Sequence, residues 1–418
     1  MKQMILEGGH KLTGVIEISG SKNSAVALVP ASLLTNGIIE LDNVPEISDI
    51  DALIEILVFL GAKVIRKDKS MKIDCTNVQN KEIPEQISKR LRASYYFMGA
   101  LLGKYKHVEM YFPGGCSIGK RPINFHLEGF EKLGAKVTVE GNKYIVKADE
   151  LIGNDIYFDI ASVGATINIM LAATYAKGVT TIHNAAKEPH VVNVAELLNK
   201  MGAKVTGAGS NEIQIEGVST LGNAQIKVVP DYIEAGTYVI AGALCADHLK
   251  VRNLVPEHIV SLTKKLEEMG AKLEIGEDYI CIQSVEHYQP TDIKTDVFPG
   301  FPTDLQQPFT PLLALAHGTS TINETIFENR YMHVPYLQEM GCKIKVLDKV
   351  AQIEGPTIFH ARHVVATDLR AGASLILAGL VAEGVTTIEG IEHVLRGYEN
   401  IVEKLIHVGA KISIQEIE

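Results

Sequence analysis

The amino-acid sequence predicts an α/β protein of two domains, built from six repeats of about 70 residues. Three observations carry that prediction. The string LGAKV at 60–64 recurs as LGAKV at 133–137, MGAKV at 201–205, MGAKL at 269–273, MGCKI at 340–344 and VGAKI at 408–412. The glycines of these strings, Gly61, Gly134, Gly202, Gly270, Gly341 and Gly409, follow one another at 73, 68, 68, 71 and 68 residues, so the repeats fill the chain. A length of 418 residues exceeds what one ordinary core supports. Six units divide evenly into two groups of three.

Each element of the repeat can be justified in order. Before each glycine runs an amphipathic helix, as in VVNVAELLNKMG at 191–202 and IVSLTKKLEEMG at 259–270, with apolar residues at helical spacing. Glycine directly after the last helical residue is the expected cap, because it takes positive φ without strain. Short alternating runs such as AKVIRK and MKIDC follow and read as paired strands. Next comes a helix apolar on nearly all sides, as in SAVALVPASLLTNG, TINIMLAATYAKG and SLILAGLVAEG, and such a helix is a buried one. A strand closes the unit: GVTTIHNA, GTSTINET, GVTTIEGI. The stretch QIKVVPDYIE at 225–234, with its proline, marks the crossing between the two halves.

Composition narrows the function classes. Lys and Arg number 40 against 50 Asp and Glu, a formal net charge of -10, which argues against nucleic acid as a partner. A few converging basic residues could still hold a small anion. The N-terminus MKQMILEGGHKLTG lacks the apolar core of a signal peptide. No apolar run reaches the roughly 18 residues of a membrane helix. A cytoplasmic protein with no membrane association is expected, its five cysteines reduced. No pair of cysteines has CxxC spacing, and no His/Asp/Glu cluster has metal-ligand spacing, so neither a metal nor a cofactor is expected. Cys75, Cys245, Cys281 and Cys342 sit in strand-like, apolar or repeat contexts. Cys116 does not: PGGCSIGKRP at 113–122 reads as an exposed glycine loop, with Lys120 and Arg121 beside the thiol.

Polar residues collect at the turn before each buried helix. In order these turns read SGSKNSA, RLRAS, ASVGAT, YIEAGT, FPTDLQQ and TDLRAGAS. One residue from each gives Lys22, Arg92, Ser162, Glu234, Asp304 and Arg370, at intervals of 70, 70, 72, 70 and 66. Helix N-termini offer free N–H groups that favour anions, so these turns are candidate binding surfaces. Ser162 and Glu234 are explained by the helix start alone. Lys22 has no capping value, and Asp304 lies between prolines in apolar surroundings. A second set of loops precedes the amphipathic helices. From Glu46, Glu188, Glu257 and Glu328 to the next repeat glycine is 15, 14, 13 and 13 residues, but from Cys116 it is 18 and from Glu392 it is 17. The second and sixth loops are therefore lengthened, as binding loops of repeats often are.

The motifs GSKNSA, LRAS, PGGCSIGKRP, SVGAT, FPTDLQ, FENR, ATDLRA and RGYE resemble, in order and over the whole length, the UDP-N-acetylglucosamine 1-carboxyvinyltransferase family of enolpyruvyl transferases. The resemblance implies an inverted α/β barrel fold of six repeats. Residues 22–229 would form the domain with the Cys116 loop, residues 1–21 and 230–418 the other, with the substrate cleft between them. It implies transfer of the enolpyruvyl group of phosphoenolpyruvate to the 3′-hydroxyl of UDP-N-acetylglucosamine, with release of phosphate. By motif, Lys22, Asn23, Arg121 and Arg396 would surround phosphoenolpyruvate. Arg92, Arg121, Pro122, Ile123, Asn124, Phe125, Ser162, Val163, Asp304 and Ile326 would contact the sugar nucleotide. Cys116 matches the family's proton donor and Asp304 its base, while Asp368 and Arg370 match further cleft residues. Asn124 stands where the family more often has an acid, and Ala161 where the family varies. Three alternatives stand beside this reading: a shikimate-3-phosphate enolpyruvyl transferase, which lacks the cysteine loop, an RNA 3′-phosphate cyclase and a non-enzymatic repeat scaffold.

Overall fold

A computed structural model describes residues 2–111 and 123–416. Cys116, Lys120, Arg121 and Pro122 lie outside the described residues. The described chain forms two compact units, one of residues 20–111 and 123–229, the other of residues 2–19 and 230–416.

In the unit of residues 20–229, the three predicted apolar helices are Lys22–Ala31, Tyr96–Tyr105 and Val163–Ala173, and nearly every residue in them is buried. They join one continuous hydrophobic core. Close approach is built into the sequence at Gly99, where a Cβ would lie 2.4 Å from the Asn168 carbonyl oxygen of the facing helix. Covering this core are sheets of one plan, reduced in the second repeat to three strands and a single parallel bridge between Ile83 and Met110. In the third repeat, strand Asp155–Tyr157 runs parallel to Val179–His183, which pairs antiparallel with Glu212–Glu216 and through it with Lys204–Thr206. The amphipathic helices Ser48–Leu60, Asn124–Lys132 and Pro189–Met201 lead into the hairpins.

The unit of residues 2–19 and 230–416 repeats the plan. Its buried helices Tyr232–Cys245, Thr303–Ala314 and Leu369–Val381 pack on one another in a second core. The N-terminal strand Lys2–Glu7 completes the sixth repeat, lying between Val385–Glu389 and Lys411–Glu416. The short parallel strands were not foreseen from sequence, and two of them are exchanged. Leu12–Glu17 takes the parallel place beside Ala246–Arg252, and Ala224–Lys227 takes it beside Ile38–Asp42. The strand that precedes a buried helix in space thus does not always precede it in sequence.

The six repeat glycines all take positive φ, between 92° and 111°. Gly61 and Gly202 end their helices directly, and a left-handed residue there gives the last carbonyls a partner. Cys75, Cys245, Cys281 and Cys342 are all buried free thiols. Burial pushes the Cys75 thiol up to about 11 and those of Cys245 and Cys342 up to about 12, so they stay protonated and inert. Among the described residues no helix is long and apolar enough to cross a membrane.

At Gly202 a Cβ would meet nothing within 4 Å, so only its φ of 106° opposes a side chain. Gly202→Ala should therefore lower stability by about 1 kcal/mol, and Gly202→Asn by less, because Asn tolerates the left-handed region. Thermal unfolding of the two variants checks the order.

Candidate active site

The six aligned residues do not share one helical position. Ser162 is an N-cap, Lys22 opens its helix, Asp304 and Arg370 are second, and Glu234 is third. Arg92 opens a 3-10 turn, Arg92–Tyr95, ahead of its helix. Ser162 caps as its residue type suggests, accepting from the Ala165 N–H at 3.3 Å. Glu234 does not cap. Asp231 does that work, accepting from the N–H groups of Ile233 at 2.9 Å and Glu234 at 3.0 Å. Glu234 is instead buried, receives the Ser19 N–H at 2.8 Å and the Lys404 ammonium at 2.5 Å, and is raised by burial above the usual carboxylate range despite that lysine.

The expectation of free N–H groups at these helix starts also needs correction. Asp368 is buried, and its Oδ1 accepts from the N–H groups of Arg370 at 2.8 Å and Ala371 at 2.9 Å. With Asp231 and Asp368 in place, two of the three helix starts in this unit already hold a carboxylate. Their positive ends are partly satisfied from within.

Asp304 is the one aligned acid that faces solvent. Its side chain is 28% exposed, and each oxygen has its own arginine. Arg330 Nη2 donates to Oδ1 at 2.5 Å, while Arg370 donates to Oδ2 from Nε at 3.2 Å and Nη2 at 3.0 Å. Arg330 is only 2% exposed, and Arg370 is buried with its guanidinium 5.1 Å from the centre of the Tyr398 ring. Charge-assisted bonds on both oxygens fix the carboxylate plane. Sequence reasoning found Asp304 and Arg370 but missed Arg330, although it lies in the FENRYMH loop. The available signal was a single cation, Arg330, two residues after Glu328 and three residues before a buried histidine. That histidine, His333, lies against the same helix. Thr310 donates its hydroxyl to the Gln306 carbonyl at 3.0 Å, so His333 Nε2–H donates to Thr310 at 3.1 Å and Nδ1 is left to accept.

Ile326 is exposed on the loop after strand Gly318–Asn323, its N–H bound to Glu324 at 2.8 Å. Arg396 caps the short helix Glu392–Leu395, which occupies the lengthened sixth loop.

In the other unit, Lys22 reaches Asp49 on the first turn of Ser48–Leu60, Nζ to Oδ2 at 2.7 Å. Asn23, Val163 and Phe125 are half-buried, Asn124 is exposed and Ile123 is buried. Arg92 is half-buried, and burial holds its guanidinium below the usual arginine range. Beside Arg92 lies His126, which is buried and packs edge-on against Tyr95 at 4.9 Å. Asn168 accepts the Gly99 N–H at 2.8 Å through Oδ1, so its amide must donate to His126 Nδ1, 2.7 Å away. Neither His126 nor Asn168 was foreseen; both look like ordinary helix residues in sequence.

Burial, and for His126 the nearby Arg92, pushes both imidazoles down to about 3. Their folded values lie below the ordinary 6.5, so unfolding lets them take up protons. The stability they contribute is complete above about pH 6.5 and falls as pH drops towards 3, by about 1.4 kcal/mol per pH unit for each. Thermal unfolding between pH 7 and 5 should show a shallower decline in His126→Gln and His333→Gln than in the parent chain.

Comparison with known proteins identifies the family and the fold. The family model described as EPSP synthase (3-phosphoshikimate 1-carboxyvinyltransferase) matches residues 6–405. A protein of Geobacillus kaustophilus named UDP-N-acetylglucosamine 1-carboxyvinyltransferase 2 is 48% identical over 423 residues, covering 100% of this chain and 99% of the relative. One of the same name from Clostridium acetobutylicum is 46% identical over 418 residues, covering all of both. Among solved structures, the enolpyruvyl transferase NikO from Streptomyces tendae aligns with a TM-score of 0.90 at 25% identity, covering 99% of this chain and 98% of that one. The EPSP synthase from Acinetobacter baumannii shares the fold, with a TM-score of 0.76 at 20% identity over the whole of both chains. By full-length likeness to these proteins, the chain belongs to the enolpyruvyl transferases, in the family of the UDP-N-acetylglucosamine 1-carboxyvinyltransferases.

Proposed function

We propose that this enzyme transfers the enolpyruvyl group of phosphoenolpyruvate to the 3′-hydroxyl of UDP-N-acetylglucosamine, releasing phosphate, in the cytoplasm of a bacterium that builds peptidoglycan. The observation that carries the reading is identity of 46–48% along the entire chain with transferases of that name. A shikimate-type acceptor is disfavoured because PGGCSIGKRP belongs to the first group and not the second.

The residues support the chemistry step by step. Phosphoenolpyruvate carries a carboxylate and a phosphate, and Lys22, Asn23, Arg121 and Arg396 are the groups assigned to it by motif. Cations suit both anions. Arg92, the 121–125 stretch, Ser162, Val163 and Ile326 are assigned to the sugar nucleotide. Addition places a proton on the methylene carbon while the sugar oxygen bonds to the central carbon and its own proton leaves. Cys116 is the donor in this reading, a thiol beside Lys120 and Arg121 whose proton is easily released. Asp304 is the acceptor, its carboxylate oriented by Arg330 and Arg370. Elimination then removes a proton from the new methyl group and expels phosphate, so no redox partner is needed. Asp368 acts through Arg370, whose N–H it holds.

Phosphate release from phosphoenolpyruvate tests the reading directly. It should require UDP-N-acetylglucosamine and should not be supported by shikimate 3-phosphate. Cys116→Asp keeps an acid and should retain substantial turnover, while escaping alkylation by the epoxide antibiotic fosfomycin. Cys116→Ser offers too weak an acid and should lose most turnover. A fully active Ser variant would remove Cys116 from the proton path.

A further inference from the structure

Glu324 has no part in the chemistry outlined above, yet it is 1% exposed, and a buried carboxylate needs partners. Among the described residues it has four, all neutral. Oε1 accepts from the Thr295 hydroxyl at 3.0 Å and the N–H groups of Ile326 at 2.8 Å and Phe327 at 3.1 Å. Oε2 accepts from the Thr303 hydroxyl at 2.9 Å. These partners belong to three separate segments. Thr295 follows the parallel strand Asp292–Lys294, Thr303 opens the helix that carries Asp304, and Ile326 and Phe327 begin the loop that carries Arg330.

The bond to Thr303 stands out when the helix starts of this unit are compared. Helices Tyr232–Cys245 and Leu369–Val381 are capped by the side chains of Asp231 and Asp368. Helix Thr303–Ala314 has Pro302 at its N-cap and no side-chain cap bond. Its first turn, the one that presents Asp304, is held from outside through Thr303. The Thr303 carbonyl also accepts from Arg330 Nη2 at 3.4 Å, so helix start, arginine and carboxylate form one assembly. We propose that Glu324 is a positioning residue for the transfer reaction, which fixes Asp304 and the Ile326 loop in register through Thr303 and the two backbone amides. The proposal rests on the functional reading given above, in which Asp304 takes the hydroxyl proton.

A misplacement of a reacting group by a fraction of an ångström to one ångström costs up to about a hundredfold in rate. Thr303→Val removes the hydroxyl and keeps the shape. It should lower kcat for phosphate release about tenfold or more, with KM for phosphoenolpyruvate within about twofold of the parent. Thr303→Ser restores the donor and should recover turnover to within about twofold. If Thr303→Val does not fold, Thr303→Ala removes the same hydroxyl without added bulk and should show the same loss. Circular dichroism and thermal unfolding establish that each variant assayed is folded. An active parent whose folded Val or Ala variant turns over within twofold of it, or whose Ser variant stays as slow as Val, overturns the proposal alone. A parent that releases no phosphate with UDP-N-acetylglucosamine overturns the functional reading, and the proposal with it.

Discussion

In each unit three helices are apolar on nearly every face, and they can be buried only against one another and the sheets around them. That constraint orders everything else. Burying one Leu, Ile or Val stabilises by about 1.5–3 kcal/mol, so the helices gather wherever the chain allows. Polar groups trapped inside must then pair internally, because an unpaired one costs about 1–3 kcal/mol. Asn168 between Gly99 and His126, and His333 between Gln307 and Thr310, are such pairings. Each ties a first-turn region to a neighbouring helix.

The same constraint explains where chemistry can arise. A helix with no polar face can carry charge only at its ends. The first turns of Thr303–Ala314 and Leu369–Val381 meet because their helices pack together, and Asp304 meets Arg370 as a result. Two residues 66 positions apart in sequence share one salt bridge. Packing therefore sets the carboxylate's orientation, which is the condition for the proton transfer proposed for it.

Much of this was legible in the chain. The repeat glycines announced six units because a left-handed cap after a helix is a local requirement, and all six take positive φ. The buried helices were legible because a wholly apolar helix has no other place to go. Other features depend on contacts between distant segments and leave little local trace. The parallel strands Asp155–Tyr157, Asp292–Lys294 and His363–Val365 are three residues long, too short for an alternating pattern to register. Strand exchange between Leu12–Glu17 and Ala224–Lys227 cannot be read from order along the chain. Lys22 is legible because its charge has no capping purpose, Asp304 because it lies between prolines in apolar surroundings, and Arg370 because it holds the matching place in the sixth turn. Arg330 and Glu324 leave no such trace, because charges in a loop look solvated and only the fold buries these two. The turns align to within a few residues, enough to find Asp304 and Arg370 but not the fourth-unit cap, where the alignment gives Glu234 and the structure uses Asp231.

The central claim is that the reaction proceeds by protonation of the methylene carbon followed by loss of a proton from the same carbon. Running the transfer in D2O and examining the vinyl group of the product by proton NMR tests this most directly. Addition of a solvent-derived deuteron makes a CH2D group, and elimination removes one of its three hydrogens, so deuterium should remain in a large share of product molecules. A product whose vinyl group carries no deuterium, formed while phosphate is released, would contradict the account.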